Sequence, residues 1–360
     1  SEMCIRDRLK AVRTNANSSI KIAIKIFVCA LLAPTLVFTL ASCGIPQNIH
    51  VDHTVKSASG ENICAKAYRL AQKNQQFIEN NVNNVSASDW ESSAKEWETV
   101  AQQCPGRLSE SIVYSAQAKW EILSKESGNN KSKIAEEIAG TNDEEKADEG
   151  TKNQENTVST ENQENPENPE SSITHQLERN AYIQFTKTVK HYNNFQWTHH
   201  PLASAAAAED QLAFILQTLA AKKVPGLPLE YSDMASSNAQ TFMNAAGKGD
   251  DLRKKIYEIP ADALESGKAQ DKASGKDFPI AAIAYMDCAR AELTAFNQII
   301  VTEENKTISS AKNNRNETSY EYSAVQAHKA FKDAVIKLIT SRLLRAYALG
   351  YPTETNLVLK

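Results

Sequence analysis

The stretch 279–300, PIAAIAYMDCARAELTAFNQII, decides the fold class of this chain. Apolar residues recur in it at a strict 4-3-4-3-4 spacing, and they are Ala282, Met286, Ala289, Leu293, Phe296 and Ile300. Such spacing lines one face of an α-helix and is typical of the seam along which bundle helices pack. We therefore predict an all-α protein with a helical bundle in its C-terminal half.

Helical patterns on both sides of this stretch complete the bundle. They cover about 173–193, 201–223, 232–246 with an extension at 250–258, the helix that begins near 279, and 321–349. The segments 260–278 and 303–320 are polar and are predicted to be loops. Long helices joined by such loops indicate an up-and-down bundle of five helices over 171–360.

Three shorter helical patterns precede the bundle and predict a small module at 58–127. In the second of them Trp90, Ala94, Trp97 and Ala101 repeat at helical spacing. The sequence Ser88-x-x-Glu91 is typical of a capping box before this helix, and Pro105-Gly106 ends it.

The cysteines of this module predict a disulfide. The midpoint between Cys64 and Cys104 is position 84, which lies inside 80–85, NNVNNV, where the turn between the first two helices should fall. Residues equidistant from the turn of an antiparallel hairpin lie opposite each other, so the two thiols can meet. Two unpaired buried thiols are the alternative, and Cys288 has no assigned partner.

The segment 128–170 differs from the rest of the chain in composition. It contains twelve acidic and four basic residues, no aromatic residue and a degenerate repeat of Asn, Gln, Glu and Pro. Such a segment cannot bury enough apolar surface to offset chain entropy, so we predict a disordered acidic linker. It serves either as a solvated spacer or as an acidic interaction tail.

An export signal is predicted at 1–42, of which residues 1–8, SEMCIRDR, resemble translated adapter sequence and leave the initiator uncertain. Basic residues up to Lys25 precede the uncharged apolar run 26–40, which leads into Leu40-Ala41-Ser42-Cys43. This order resembles the lipobox signal of bacterial lipoproteins. The resemblance implies cleavage before Cys43, acylation of its thiol and a short polar tether at 43–57. An uncleaved transmembrane anchor is the alternative.

Three polar residues fall inside the apolar faces of bundle helices. At 100° per residue, Glu209 lies within the apolar arc of the second helix, and His328 and Arg342 lie within or beside that of the last. A carboxylate in such a position must be paired, bind a metal or take up a proton. The functional hypothesis is a Glu209–His328 site, and the alternative is a buried ion pair or a solvent-facing groove.

A bundle with an inward-facing Glu resembles the ferritin-like superfamily in outline. The motif of that superfamily is Glu-x-x-His on two helices. This chain contains no such motif, and Val325 stands three residues before His328. The resemblance therefore implies a shared architecture only, and we predict no cofactor and no metal.

Function is indicated mainly by location. The chain has 40 basic and 44 acidic residues and no long basic run, which argues against nucleic acid as a partner. No catalytic motif occurs, so we predict no enzyme activity.

We expect an extracytoplasmic lipoprotein held at the cell membrane, or at the outer membrane of a two-membrane cell, through Cys43. Its expected role is a non-catalytic interaction or envelope-scaffold protein with an envelope protein as partner. The alternative is a ligand- or metal-binding bundle that uses Glu209 and His328.

Overall fold

A computed structural model of the chain describes residues 62–125, 169–191, 199–313 and 318–359. Side-chain environments are defined within 62–125, 173–190, 199–302 and 326–359. The predicted signal segment, the tether and residues 128–168 of the predicted linker lie outside the described residues. All described residues belong to one compact unit of the chain.

The predicted all-α class is confirmed. The described residues contain ten α-helices and one two-stranded antiparallel hairpin. The helices are α1 (Ile63–Asn80), α2 (Ala87–Gln103), α3 (Leu108–Lys125), α4 (Pro169–His191), α5 (His199–Ala221), α6 (Leu229–Ala246), α7 (Ala261–Ser266), α8 (Ile280–Asn313), α9 (Thr318–Ala348) and α10 (Thr355–Val358). The strands β1 (Lys268–Gln270) and β2 (Asp277–Pro279) lie between α7 and α8, with Ala269 opposite Phe278.

The disulfide between Cys64 and Cys104 joins the start of α1 to the end of α2, with 5.1 Å between the two Cα atoms. The turn between these helices falls at 81–86, as the spacing of the cysteines requires. Next to the disulfide, the buried Trp97 ring stacks on Tyr114 at 4.6 Å and meets Tyr68 edge-on at 6.0 Å. These contacts fix α1 against α2 and α3.

The capping box of α2 lies two residues before the predicted one. Ser86 Oγ accepts from the backbone N–H of Asp89 at 3.3 Å, and Asp89 Oδ2 accepts from the backbone N–H of Ser86 at 2.9 Å. The prediction of Ser88 and Glu91 was wrong because Ser86 already has the extended backbone of an N-cap residue.

The helices α2 and α3 share one hydrophobic core with the bundle, while α1 packs on a smaller cluster around Trp97. Leu108, Ile112 and Ala116 of α3 belong to the same buried cluster as the apolar residues of α4, α5, α6, α8 and α9. Polar contacts reinforce this packing: Lys332 Nζ donates to the carbonyl of Gln102 at 2.9 Å, and the side-chain amide of Gln102 donates to Asp333 at 2.7 Å. The segments on the two sides of the predicted linker are therefore packed together.

The five long bundle helices appear where they were predicted, with differences at their ends. Residues 250–258 are not helical, because Asp251 Oδ1 accepts from the backbone N–H of Arg253 at 3.0 Å and competes with a helical turn. Conversely, α8 continues to Asn313 through a segment predicted as loop. Polar composition alone does not end a helix, and neither Gly nor Pro occurs between 280 and 313.

Two layers of different chemistry occupy the bundle core. The first is aromatic: Phe185, Phe242, Phe296 and Phe331 come from four helices, with neighbouring ring centroids 5.1–6.1 Å apart. The second is polar and contains Arg342, eleven residues after Phe331 on α9, or about 16 Å along the helix axis. The polar layer is the candidate functional site.

Candidate functional site

Four bundle helices place five ionisable side chains in the polar layer, which we call the polar centre. All five have 0% exposure: Glu178 on α4, Glu209 on α5, Glu292 on α8, and Arg342 and Arg345 on α9. The other buried side chains of these helices are mostly apolar. A buried charge is tolerated only when it is paired and hydrogen-bonded, or when a proton or metal neutralises it.

Arg342 is the main donor of the polar centre. Its Nη2 and Nε donate to Glu209 Oε1 at 2.6 and 3.2 Å, and its Nη1 donates to Glu178 Oε1. The structure therefore brings together Glu209 and Arg342, two of the three polar residues that the sequence placed in apolar faces.

His328 does not belong to the polar centre. It precedes Arg342 on α9 by 14 residues, which corresponds to about 21 Å along the helix axis. The two residues share a direction around the helix, but angular arithmetic ignores position along it. The hypothesis of a Glu209–His328 site therefore fails, because His328 is too far along α9 from Arg342, the residue that contacts Glu209. The side chain of His328 is half-buried.

Asn238 on α6 is a further fully buried member of the polar centre. Its side-chain amide donates to Glu209 Oε1. Its Oδ1 has no hydrogen-bond donor among the described residues. The side-chain oxygen of Asn238 is therefore a buried acceptor that receives no hydrogen bond from the described residues.

Glu292 and Cys288 were missed by the sequence analysis. They lie one turn apart on α8, and one ligand atom each from Glu209, Cys288 and Glu292 lie within 4.8 Å of one another. Both oxygens of Glu292 lack a donor among the described residues, and so does Oε2 of Glu209. The signal in the sequence was Cys288-x-x-x-Glu292, a spacing that puts both side chains on one helix face.

No protein family, curated protein or solved structure matches this chain. Among the described helices, none is both long enough and apolar enough to cross a membrane.

The electrostatics of the polar centre follow from burial. Burial, and then repulsion by Glu292, raise the pKa of Glu209, while burial raises the pKa of Glu292 to about 7. Burial also lowers the pKa of Arg342 to about 9, so this guanidinium remains charged at neutral pH. The carboxyl groups of Glu209 and Glu292 are also within hydrogen-bonding reach of each other, so the pair shares a proton when no other cation neutralises it.

A second set of contacts surrounds Arg345. Its guanidinium lies 4.4 Å from the ring centroid of Tyr231 and donates to Thr174 Oγ1 at 3.1 Å. His175 packs against the same tyrosine ring at 4.2 Å, and burial lowers its pKa to about 4. This part of the centre lies between α4, α6 and α9, and the lowered pKa keeps the half-buried His175 neutral at pH 7.

The polar centre suits a proton or a small cation. The carboxyl and guanidinium groups expose no surface to solvent, and the atoms that lack partners in the Glu209–Glu292 region are oxygen acceptors. Acceptors of this kind are satisfied by a donor or by a metal ion.

A separate surface feature lies on α1. Its inward face buries Ala67, Ala71 and Ile78. On the adjacent face, about 80° further around the helix, Ile63, Leu70 and Phe77 are 37%, 46% and 47% exposed. These three residues, which we call the α1 stripe, are seven residues apart and therefore share one face of the helix.

Proposed function

We propose that the protein is a lipid-anchored, extracytoplasmic lipoprotein that acts as a non-catalytic interaction protein at the cell envelope. Acylation of Cys43 attaches it to the cell membrane, or to the outer membrane of a two-membrane cell. The lipobox-like sequence before Cys43 supports this attachment. The disulfide between Cys64 and Cys104 supports export, since disulfides persist in oxidising compartments.

The α1 stripe carries the proposal of an interaction. Apolar side chains at a spacing of seven residues form the seam of a helix pair, yet Leu70 and Phe77 are about half exposed. Exposed apolar side chains on a single helix face mark an interaction site more often than scattered single ones do. Since α1 follows Cys43 by only twenty residues, the stripe would be held close to the membrane.

The occupant that we propose is an apolar helix of an envelope protein with acidic flanks. Lys66 and Lys73 are exposed and lie within about 60° of the stripe around α1. Flanking positions of opposite charge set the choice and orientation of partner helices. The complementary partner therefore presents an apolar seam flanked by Asp or Glu.

A photo-reactive amino acid at Leu70, introduced in intact cells, tests this surface. The matched control carries the same group at Gln72, which is exposed on α1 about 160° away. We expect one dominant envelope protein to be captured at position 70, and none at position 72 or in a Cys43→Ser background.

Binding of the purified partner completes the test. Burial of a Leu side chain contributes about 1.5–3 kcal/mol, so Leu70→Asp should weaken binding at least about tenfold. Equal labelling from positions 70 and 72 would contradict the proposed surface. If position 70 formed adducts with lipid alone, the α1 stripe would contact the bilayer and not a partner helix.

A further inference from the structure

We propose that Glu209, Cys288 and Glu292 form a binding site for one divalent cation of the zinc class. The site lies inside the bundle, and the proposal is independent of the α1 stripe. It differs from the Glu209–His328 hypothesis in two of its ligands, because the structure replaces His328 with Cys288 and Glu292.

The geometry of the three side chains supports a common ion. One carboxylate oxygen of Glu209, the Cys288 sulfur and one carboxylate oxygen of Glu292 lie within 4.8 Å of one another, and all three residues are buried. Zinc binds oxygen at about 2.0–2.2 Å and sulfur at about 2.3 Å, which puts neighbouring tetrahedral ligands about 3.5 Å apart. A contraction of about 1 Å would therefore bring the three donors to bonding distance.

Acceptors without donors are the second observation that indicates a ligand. Glu292 is fully buried, and apart from a proton shared with the Glu209 carboxyl its oxygens have no donor among the described residues. Asn238, also fully buried, is bound to Glu209 through its amide and leaves its Oδ1 without a donor. The Glu209 and Glu292 oxygens lie close to the Cys288 thiol, and a cation would satisfy all three groups where another acceptor would not.

Charge balance agrees with a divalent ion. The carboxylates of Glu178, Glu209 and Glu292 and the thiolate of Cys288 carry four negative charges, against two positive charges on Arg342 and Arg345. A divalent cation supplies the missing two charges and displaces two protons, one from the thiol and one from a carboxyl group. The centre is thus neutral either with two protons or with one metal ion, and an experiment must distinguish these states.

The donor set selects the class of ion. A thiolate with carboxylate oxygens favours borderline ions such as Zn²⁺ and Co²⁺ over Mg²⁺ and Ca²⁺, which prefer oxygen alone. The proposal is therefore tested with Co²⁺, whose bonds to thiolate give a charge-transfer absorption that bonds to oxygen do not.

The full chain is first treated with a chelator and then titrated with Co²⁺ without thiol reductant, to preserve the disulfide. We expect a thiolate-to-cobalt band that saturates at about one ion per chain. Cys288→Ala keeps the position apolar and should remove the band. Glu292→Gln should weaken Co²⁺ binding by at least about tenfold, while Glu265→Gln on the exposed side of α7 should leave it unchanged.

Thermal unfolding separates the metal-bound state from the protonated one. If the site binds Zn²⁺, the ion raises the unfolding temperature of the wild type and not that of Glu292→Gln. The proposal is overturned if the wild type gives no thiolate band, or if Cys288→Ala retains it. It is also overturned if Zn²⁺ shifts the wild type and Glu292→Gln equally.

Discussion

Arg342 Nη2 lies 2.6 Å from Glu209 Oε1, and both side chains are completely buried. The same guanidinium donates to Glu178, so a single arginine of α9 links α4 and α5 through their carboxylates. Removal of one partner from a buried pair leaves a charge that is neither solvated nor neutralised. The polar centre is therefore expected to be a point at which the bundle is most sensitive to mutation.

Replacement of Arg342 by Leu should destabilise the protein by about 3–5 kcal/mol, because two buried carboxylates lose their donor. Urea unfolding of the full chain measures the change. Arg253→Leu is the matched control, since Arg253 pairs with the partly exposed Asp251 and should cost less than about 1 kcal/mol. Equal losses for the two variants would show that Arg342 does not hold the bundle together.

His175 should make the stability depend on pH. Burial lowers its pKa to about 4 in the folded protein, while the unfolded chain retains a value near 6.5. Glu230 opposes this shift, and Arg345 and Arg179 add to it. Between these values the unfolded state binds a proton that the folded state does not, so stability is lost as the pH falls from about 6.5 to 4.

The variant His175→Gln isolates this effect. Its free energy of unfolding should fall less than that of the wild type over the same pH range, because the carboxylates are common to both proteins. The measurement is chemical unfolding at pH 7, 6, 5 and 4. Parallel pH profiles for the two proteins would mean that His175 is protonated equally in the folded and unfolded states.

The disulfide should stabilise the α1–α2 hairpin. In the chain-entropy model, closure of a loop of 40 residues contributes about 3–4 kcal/mol. The double variant Cys64→Ala, Cys104→Ala should lose this amount in urea unfolding. Addition of reductant should lower the free energy of unfolding of the wild type by a similar amount and leave that of the double variant unchanged. If reductant lowered both values, its effect would not come from the Cys64–Cys104 disulfide.

Local patterns predicted most of the helices. The 4-3 spacing in α8 gave the class of the fold, and the positions of Cys64 and Cys104 gave the hairpin. Residues 250–258 were assigned to a helix because the side-chain hydrogen bond of Asp251 cannot be read from apolar periodicity. The junction of α3 with α9 depends on surfaces that are distant in sequence, and it was not predictable from either helix alone.

The polar centre was predicted in part, for a geometric reason. Glu209 and Arg342 stood out because each interrupts an otherwise apolar arc. Glu292 did not stand out because it is not one of the 4-3 positions of α8, which were the ones expected to be buried. In the structure α8 is buried over a wider face than those positions cover, and that face includes Glu292. His328 was included because periodicity gives direction around a helix and not position along it.

Mass spectrometry of the mature protein isolated from membranes tests the central proposal, attachment through Cys43, most directly. We predict an N-terminal peptide that begins at Cys43 and carries the added mass of a diacylglyceryl group, with residues 1–42 removed. In Cys43→Ser the lipid mass should be absent and the protein should leave the membrane fraction. A mature chain that retains residues before Cys43, or that begins at Cys43 without lipid, would contradict the proposal.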